Sequence, residues 1–119
     1  MRVALIDDDV QQLDLLARLL RLEDLDVLEV RGEMCGVTNA VRAYRPDVVL
    51  VDLNMPHLPC ASLVRLMKRE VPKAKYILYS ADIAERLRRA QLESGADAAL
   101  SKSCPIRQVA LKIKSYEDA

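Results

Sequence analysis

Residues 47–56 read Asp47-Val48-Val49-Leu50-Val51-Asp52-Leu53-Asn54-Met55-Pro56, and this stretch decides the fold. Its apolar residues form a short run without helical spacing, with prolines just before it and at its end, which predicts a strand buried on both faces of a parallel sheet. Asp52 stands at the carboxyl end of that strand. A buried carboxylate is costly unless something pairs with it, and open parallel sheets bind ligands just outside the carboxyl ends of their strands. Asp52 is therefore the first candidate functional residue.

Strand-like and helix-like segments alternate on both sides of this stretch. Apolar runs predict four further strands, at residues 3–6, 26–30, 76–79 and 96–101. Apolar residues at helical spacing predict five helices, the first capped by Asp9 and the last with Pro105 in its first turn. Val10 and Ile83 are expected on the apolar faces of the first and fourth helices. Five successive βα units predict one α/β domain over residues 1–119, a flavodoxin-like doubly wound parallel sheet of order 2-1-3-4-5 with five helices.

Composition narrows the class of protein. Eighteen Lys and Arg residues balance eighteen Asp and Glu, so the net charge gives no argument for binding nucleic acid or a membrane. Phe and Trp are absent, which argues against a base-stacking surface. Met1-Arg2 leads directly into a strand and no apolar segment could cross a bilayer, so neither a signal peptide nor a membrane span is expected. The three cysteines, which lack metal-ligand spacing, fit free thiols in a reducing cytoplasm and predict a cytoplasmic location.

Polar residues stand at the carboxyl ends of four predicted strands. Strand one ends in Asp7-Asp8, strand three in Asp52, strand four in Ser80 and strand five in Ser101-Lys102. Strands one and three are neighbours in the order 2-1-3-4-5, so their acids must share one crevice. Two carboxylates about 4 Å apart repel by roughly 4 kcal/mol at an effective dielectric constant near 20. The cluster is therefore expected to take up a proton or bind a cation.

The kind of donor atom around this crevice indicates which cation would bind there. They are oxygens, with no Cys or His nearby in the sequence, and Mg²⁺ fits best because it accepts one or two carboxylates and keeps waters for an incoming phosphate. Lys102 can hold an anion close to Asp52, and Ser80 supplies a hydroxyl. A nucleophilic carboxylate, a hard cation, a lysine and a hydroxyl are the parts that phosphoryl transfer needs, and the product would be an acyl phosphate on Asp52.

Four motifs in order carry a resemblance to a known family. They are Leu5-Ile6-Asp7-Asp8-Asp9, Val51-Asp52-Leu53-Asn54-Met55-Pro56, Leu78-Tyr79-Ser80-Ala81, and Gly95-Ala96-Asp97 through Ser101-Lys102. Together they resemble the response-regulator receiver domain of two-component signalling, with receiver-like spacing over essentially the whole chain. The resemblance implies that Asp52 is the phosphoacceptor and that Ser80 and Lys102 contact the phosphoryl group. It also implies a Mg²⁺ site formed by Asp7, Asp8, Asp52 and the backbone carbonyl of Asn54.

The same resemblance implies partners and a mode of action. A sensor histidine kinase or a phosphotransfer protein would donate the phosphoryl group, and the signal would pass to a downstream protein target or output domain through the surface of helix four, strand five and helix five. Signalling would proceed by a shift in conformational population. Such a domain promotes its own phosphoryl transfer and dephosphorylation and is not a turnover enzyme. Neither nucleic acid nor a membrane is expected as a direct partner.

Two other functions stay open, and the first of them is motivated by departures from the family pattern. Ser103 follows Lys102 where proline is usual, Ala99 stands where the family has a switch aromatic, and Cys60 stands where glycine is common. The coupling of an aromatic rotamer to the Ser80 hydroxyl cannot operate, which motivates a degenerate receiver acting as a phosphorylation-independent protein-interaction module. A phosphatase that uses an aspartyl-phosphate would need a second acid two residues after the nucleophile, where this chain has Asn54.

The candidate residues also have structural interpretations. Asp7 and Asp8 could cap a helix and stabilise its dipole, Asp52 could be a structural acid paired with Lys102, and Ser80 could be an ordinary strand-end hydroxyl.

Two further residues carry expectations of their own. His57, the only histidine, is predicted to be a surface residue in a proline-flanked loop. Asp82 lies where receivers tune hydrolysis of their acyl phosphate, and an acid there predicts a short phosphoryl lifetime.

Overall fold

The computed structural model describes residues 1–117, so Asp118 and Ala119, the end of the predicted domain, lie outside the described residues. The strands are β1 (Arg2–Ile6), β2 (Asp26–Val30), β3 (Val48–Asp52), β4 (Lys75–Ser80) and β5 (Ala98–Ser101). The helices are α1 (Val10–Arg21), α2 (Met34–Tyr44), α3 (Cys60–Glu70), α4 (Ala84–Ser94) and α5 (Ile106–Lys114). All strand pairs are parallel and the sheet order is β2-β1-β3-β4-β5. The predicted fold class is confirmed.

The register of the sheet brings the carboxyl ends of its strands to one edge. Ile6 of β1 pairs with Val51 of β3, and the next residue of β3, Asp52, pairs with Tyr79 of β4. At the far side of β4, Ser80 pairs with the last residue of β5. The residues that follow β1, β3, β4 and β5 therefore start from neighbouring positions, as the order of the strands predicts.

The hydrophobic core is divided by the sheet into two clusters. Val49 and Val51 of β3 belong to the cluster covered by α2, α3 and α4. Val48 and Leu50 belong to the cluster covered by α1 and α5. This alternation is the two-residue period of a strand, and all five residues of β3 are buried. The organising strand is therefore buried on both faces, as its apolar run predicts.

Local sequence explains where the helices begin and end. Asp9 caps α1, because its side chain accepts hydrogen bonds from the backbone N–H groups of Gln11 at 3.0 Å and Gln12 at 3.2 Å. α4 ends at Gly95, whose φ of 76° lies in the left-handed region that glycine adopts without a steric penalty. Within residues 1–117, the structure contains no helix with the length and apolar character required to cross a membrane.

Two residues expected on apolar helix faces are instead exposed to solvent. Val10 is 52% exposed and Ile83 is 63% exposed. Val10 is the first residue of α1 and Ile83 precedes the first residue of α4. The helical spacing of apolar residues extends to both positions. Their side chains nevertheless lie at the start of each helix, before the turns whose residues are buried against the sheet. The prediction for these two residues was wrong.

Several predicted strand ends differ from the structure by one or two residues, and two of the predicted boundaries are informative. β5 begins at Ala98, two residues later than expected, because the Asp97 carboxylate accepts the Tyr76 backbone N–H at 2.8 Å and takes the place of a strand carbonyl. Pro105 lies just before α5 and has an extended backbone, with ψ at 143°, so it precedes the first turn instead of belonging to it.

Candidate functional site

Asp52 ends β3 in a buried position beside Lys102. Its side chain is 7% exposed, and its Oδ1 atom lies 3.4 Å from the Lys102 Nζ. That contact is an ion pair without hydrogen-bond geometry, so among residues 1–117 no donor satisfies this buried oxygen. Burial and then the neighbouring charge of Asp7 raise the pKa of Asp52, and the Lys102 ammonium partly offsets both effects.

Asp7 and Asp8 complete an acidic cluster at the end of β1. The Asp7 Oδ1 atom accepts the Asp9 backbone N–H at 3.0 Å, and its Oδ2 atom lies 3.7 Å from the Lys102 Nζ. Oδ2 of Asp8 is buried and, like Oδ1 of Asp52, has no hydrogen-bond partner in the described part of the chain. Two orphaned buried carboxylate oxygens at one edge of a sheet call for a cation or ordered water.

The donor set at this edge fits a hard divalent cation that keeps several waters. Among residues 1–117, no three Asp, Glu, His or Cys side chains come together as a ligand set for a metal ion. A cation bound by the carboxylates of Asp8 and Asp52 would thus need further oxygen ligands from the backbone or from water. Mg²⁺ is bound in this way, through one or two carboxylates with several waters retained.

Lys102 reaches the cluster from the end of β5. Its backbone N–H donates to the Ser80 carbonyl at 2.8 Å, which fixes the start of the side chain beside β4. Its ammonium lies 5.9 Å from the centre of the Tyr79 ring and donates a hydrogen bond to the Gln12 Oε1 at 2.9 Å. The predicted meeting of Asp7, Asp52 and Lys102 is confirmed. Gln12 was missed, because an exposed glutamine on an amphipathic helix carries no sequence signal.

Ser80 is fully buried and its hydroxyl accepts two hydrogen bonds. The Asn54 side-chain amide donates at 3.1 Å and the Asp82 backbone N–H donates at 3.1 Å. Because both bonds use the oxygen as acceptor, the hydroxyl proton remains free to donate to another group. The Asp82 carboxylate lies 3.7 Å from the Arg86 guanidinium, which connects this part of the site to α4.

The departures from the receiver pattern have visible structural counterparts. The Ser101 and Ser103 hydroxyls are 2.8 Å apart, and the Ser103 backbone N–H donates to the Ser101 hydroxyl at 3.2 Å, so serine hydroxyls hold the loop after β5. Ala99 lines an open groove of about 350 Å³ beside α4. Burial, and then the charge of Asp52, raise the pKa of the buried Cys60 thiol to about 12, which keeps it neutral.

The surroundings of the site confirm two simpler predictions. His57 is exposed and lines a cleft of about 640 Å³ together with Asp8 and Arg31, so its surface position is confirmed. The three cysteines are free.

This site geometry and strand order agree with the family that the sequence matches. Residues 3–114 match the response regulator receiver domain, and the chain belongs to that family of two-component signalling modules.

Individual relatives show the extent of the match. The chain is 34% identical over 117 residues to the transcriptional regulatory protein PrrA of Mycobacterium leprae, covering 96% of this chain and 48% of PrrA. It is 28% identical over 116 residues to the DNA-binding response regulator MtrA of the same organism, covering 96% of this chain and 50% of MtrA. The chain thus spans about half the length of these curated relatives. A CheY-like receiver domain protein from Methanospirillum hungatei superposes with a TM-score of 0.84 at 23% identity, over 98% of this chain and 93% of that one, which shows the shared fold.

Proposed function

We propose that this receiver domain accepts a phosphoryl group on Asp52 from a sensor histidine kinase or a phosphotransfer protein. The observation that carries the proposal is the Asp52 Oδ1 atom, which is buried, accepts no hydrogen bond from residues 1–117 and faces the Lys102 ammonium at 3.4 Å. Such an oxygen has its lone pairs free for attack on phosphorus, and the adjacent ammonium can neutralise charge on the incoming group. The phosphorus–nitrogen bond of the donor breaks as the phosphorus–oxygen bond to Asp52 forms.

Mg²⁺ would be held at this site by Asp7, Asp8, Asp52 and the Asn54 backbone carbonyl, in part through retained waters, because no three acidic side chains of residues 1–117 already converge as a ligand set. The orphaned Oδ2 atom of Asp8 supports this assignment, because a hard cation would satisfy it, and Asp52 would contribute the carboxylate oxygen that does not take the phosphoryl group. When bound, Mg²⁺ supplies positive charge that offsets the negative charge of the phosphoryl oxygens.

Lys102 and Ser80 would contact the phosphoryl group from two sides. The Lys102 ammonium already faces Asp52, and the Ser80 hydroxyl has a proton that its present hydrogen bonds do not use. Donation of that proton to a phosphoryl oxygen would draw Ser80 towards Asp52 and disturb its bonds from Asn54 and Asp82. A shift in conformational population around β4 and α4 is the proposed signal. The Asp82 carboxylate beside the site supports the expectation of a short phosphoryl lifetime.

The proposed partners are supported by the family and by the greater length of the curated relatives. PrrA and MtrA are about twice as long as this chain and are named as a transcriptional and a DNA-binding regulator, which supports an output domain or a separate downstream protein as the receiver's target. Direct contact of this domain with nucleic acid or a membrane is not proposed. The three free cysteines support a location in the reducing cytoplasm.

Neither alternative function gains support from the site. The comparisons give no support to a phosphorylation-independent interaction module, and Ala99 and Ser103 lie outside the acidic cluster. The Asn54 amide donates to Ser80 and has no acidic proton, which argues against phosphatase turnover.

Intact mass spectrometry after incubation with Mg²⁺ and acetyl phosphate tests the proposal. The parent protein should gain one phosphoryl group, and Asp52→Asn should gain none. Asp47→Asn is the matched control. Asp47 immediately precedes β3 at the amino end of the strand, far from Asp52 along the strand, and its carboxylate accepts the Arg2 backbone N–H. The control variant should be phosphorylated like the parent. An unmodified parent that is folded and supplied with Mg²⁺, or equal labelling of Asp52→Asn, would refute the assignment.

A further inference from the structure

The Lys102 ammonium bonds to a neutral amide although two carboxylates lie close by. Its distances are 2.9 Å to the Gln12 Oε1, 3.4 Å to the Asp52 Oδ1 and 3.7 Å to the Asp7 Oδ2. Charge-assisted hydrogen bonds between an ammonium and a carboxylate are about 2.7–2.9 Å long, so both carboxylate contacts are ion pairs without a hydrogen bond. Within residues 1–117, the Gln12 amide oxygen is the only hydrogen-bond acceptor of this ammonium.

The position of Gln12 is fixed by the start of α1. Its backbone N–H donates to the capping carboxylate of Asp9 at 3.2 Å, which holds this first turn next to the end of β1. The Gln12 side chain then reaches into a cleft of about 370 Å³ that it lines together with Lys102 and Tyr79. The Tyr79 ring lies 5.9 Å from the ammonium. An amide from α1 and an aromatic ring from β4 thus both interact with the ammonium near the acidic cluster.

We propose that Gln12 is a positioning residue that keeps the Lys102 ammonium beside Asp52 without a hydrogen bond to the oxygen that takes the phosphoryl group. The inference rests on the proposed function of Asp52. Without the amide, the nearest acceptor for the ammonium is the orphaned Asp52 Oδ1 atom, 3.4 Å away. A hydrogen bond there would occupy a lone pair of the nucleophile and would have to break before attack. Gln12 therefore leaves the charge of Lys102 in place while the nucleophilic oxygen remains free.

Two substitutions at Gln12 distinguish the effect of losing the hydrogen-bond acceptor from the effect of changing the size of the side chain. Gln12→Met keeps a similar length and helix propensity but cannot accept the hydrogen bond, and Gln12→Glu keeps an acceptor. Gln11→Met is the matched control, because Gln11 is the neighbouring exposed glutamine and its only hydrogen bond to a side chain, among residues 1–117, is the backbone N–H bond to Asp9. Both positions are on the solvent side of the first turn of α1, so each of the three variants is expected to fold.

The first measurement is the rate of phosphoryl uptake from acetyl phosphate with Mg²⁺. Gln12→Met should be about tenfold slower than the parent, because a hydrogen bond to a charged group must be broken. Gln11→Met should match the parent.

The second measurement needs no metal and no phosphorylation. NMR of protein labelled at the aspartate carboxyl carbons and lysine side-chain nitrogens, at fixed pH and without Mg²⁺, reports the hydrogen bond directly. Gln12→Met should shift both the Asp52 and Lys102 signals, whereas Gln11→Met should leave both where they are in the parent. Gln12→Glu adds a charge but keeps the acceptor, so it should show no new hydrogen bond from Lys102 to Asp52.

The outcomes distinguish this inference from the proposed function. Uptake by Gln12→Met that is unchanged or faster, or an Asp52 signal that does not move in that variant, would overturn the positioning role. If the parent takes up no phosphoryl group, the proposed function fails. The metal-free spectra then decide by themselves whether Gln12 holds Lys102 off Asp52.

Discussion

Lys102→Met should destabilise the metal-free protein by about 3 kcal/mol, because it leaves two neighbouring carboxylates without a counter-charge. The ammonium lies 3.4 Å from Asp52 and 3.7 Å from Asp7. Each contact corresponds to roughly 4–5 kcal/mol of attraction at an effective dielectric constant near 20. Two effects offset much of this attraction. The variant no longer has to remove a lysine ammonium from water, and one of the two carboxyls can take up a proton. Breaking a buried ion pair costs about 3–5 kcal/mol in general, and the 23% exposure of the Lys102 side chain favours the lower end.

Urea unfolding at pH 7, with EDTA and then with saturating Mg²⁺, measures this change. In EDTA the deficit of about 3 kcal/mol corresponds to a fall in Tm of about 12 °C for a domain of this size. Mg²⁺ should reduce the deficit, because a cation bound only by the folded state stabilises it and replaces the missing charge. Lys73→Met is the control, since Lys73 is exposed and forms no ion pair among residues 1–117.

Two results would refute this reasoning. A deficit below about 1 kcal/mol in EDTA would mean that Lys102 contributes no more than an exposed ion pair. An equal deficit with and without Mg²⁺ would mean that the loss comes from packing of the lysine side chain and not from the charge of the cluster.

Three further substitutions test separate parts of the structure. Because burial and the charge of Asp7 raise the pKa of Asp52, ionisation of Asp52 costs stability as the pH rises through its folded pKa. Without Mg²⁺, Asp52→Asn should therefore be more stable than the parent at neutral pH and lose that advantage below the ordinary Asp pKa of about 4, and a pH-independent difference in urea unfolding would contradict this. Tyr76→Phe should lower the free energy of unfolding by about 1–2 kcal/mol, because the buried hydroxyl donates to backbone carbonyls at 2.8 and 3.0 Å; an unchanged Tm would refute it. Asp9→Ala should cost about 1 kcal/mol through loss of the α1 cap, whereas Asp9→Asn should retain most of the stability in the same thermal measurement.

The strands were the most predictable part of the fold. The bounds predicted for β2, residues 26–30, are those in the structure, and β3 is buried along its whole length. β3 is a short apolar run, and β2 combines Val27, Leu28 and Val30 with two acids, so in both strands local sequence and tertiary packing agree. The sheet order then brought Asp7, Asp52 and Lys102 together, as predicted. The roles of these residues in metal binding and phosphoryl transfer stay predictions, which the mass measurement tests.

The features that could not be predicted from the sequence depend on contacts between segments that are distant along the chain. Helical spacing placed Val10 and Ile83 on apolar faces, but periodicity does not show where the first residues of a helix lie relative to the sheet. The start of β5 depends on a bond between the Asp97 carboxylate and the Tyr76 backbone, 21 residues apart. The Gln12–Lys102 bond spans 90 residues. Single polar contacts of this kind leave no periodic pattern in the chain.

Asp52 lies at the end of the central strand, between two series of side chains that lead to opposite faces of the sheet. On one side, Ser80 and Asp82 lead to Arg86 in α4. On the other side, Lys102 leads to Gln12 in α1. The two series also meet where the Lys102 backbone N–H donates to the Ser80 carbonyl, and the helices at their ends pack against opposite faces of the sheet. Under the proposed function, a phosphoryl group on Asp52 would thus act on side chains that lead to helices on two opposite faces of the sheet.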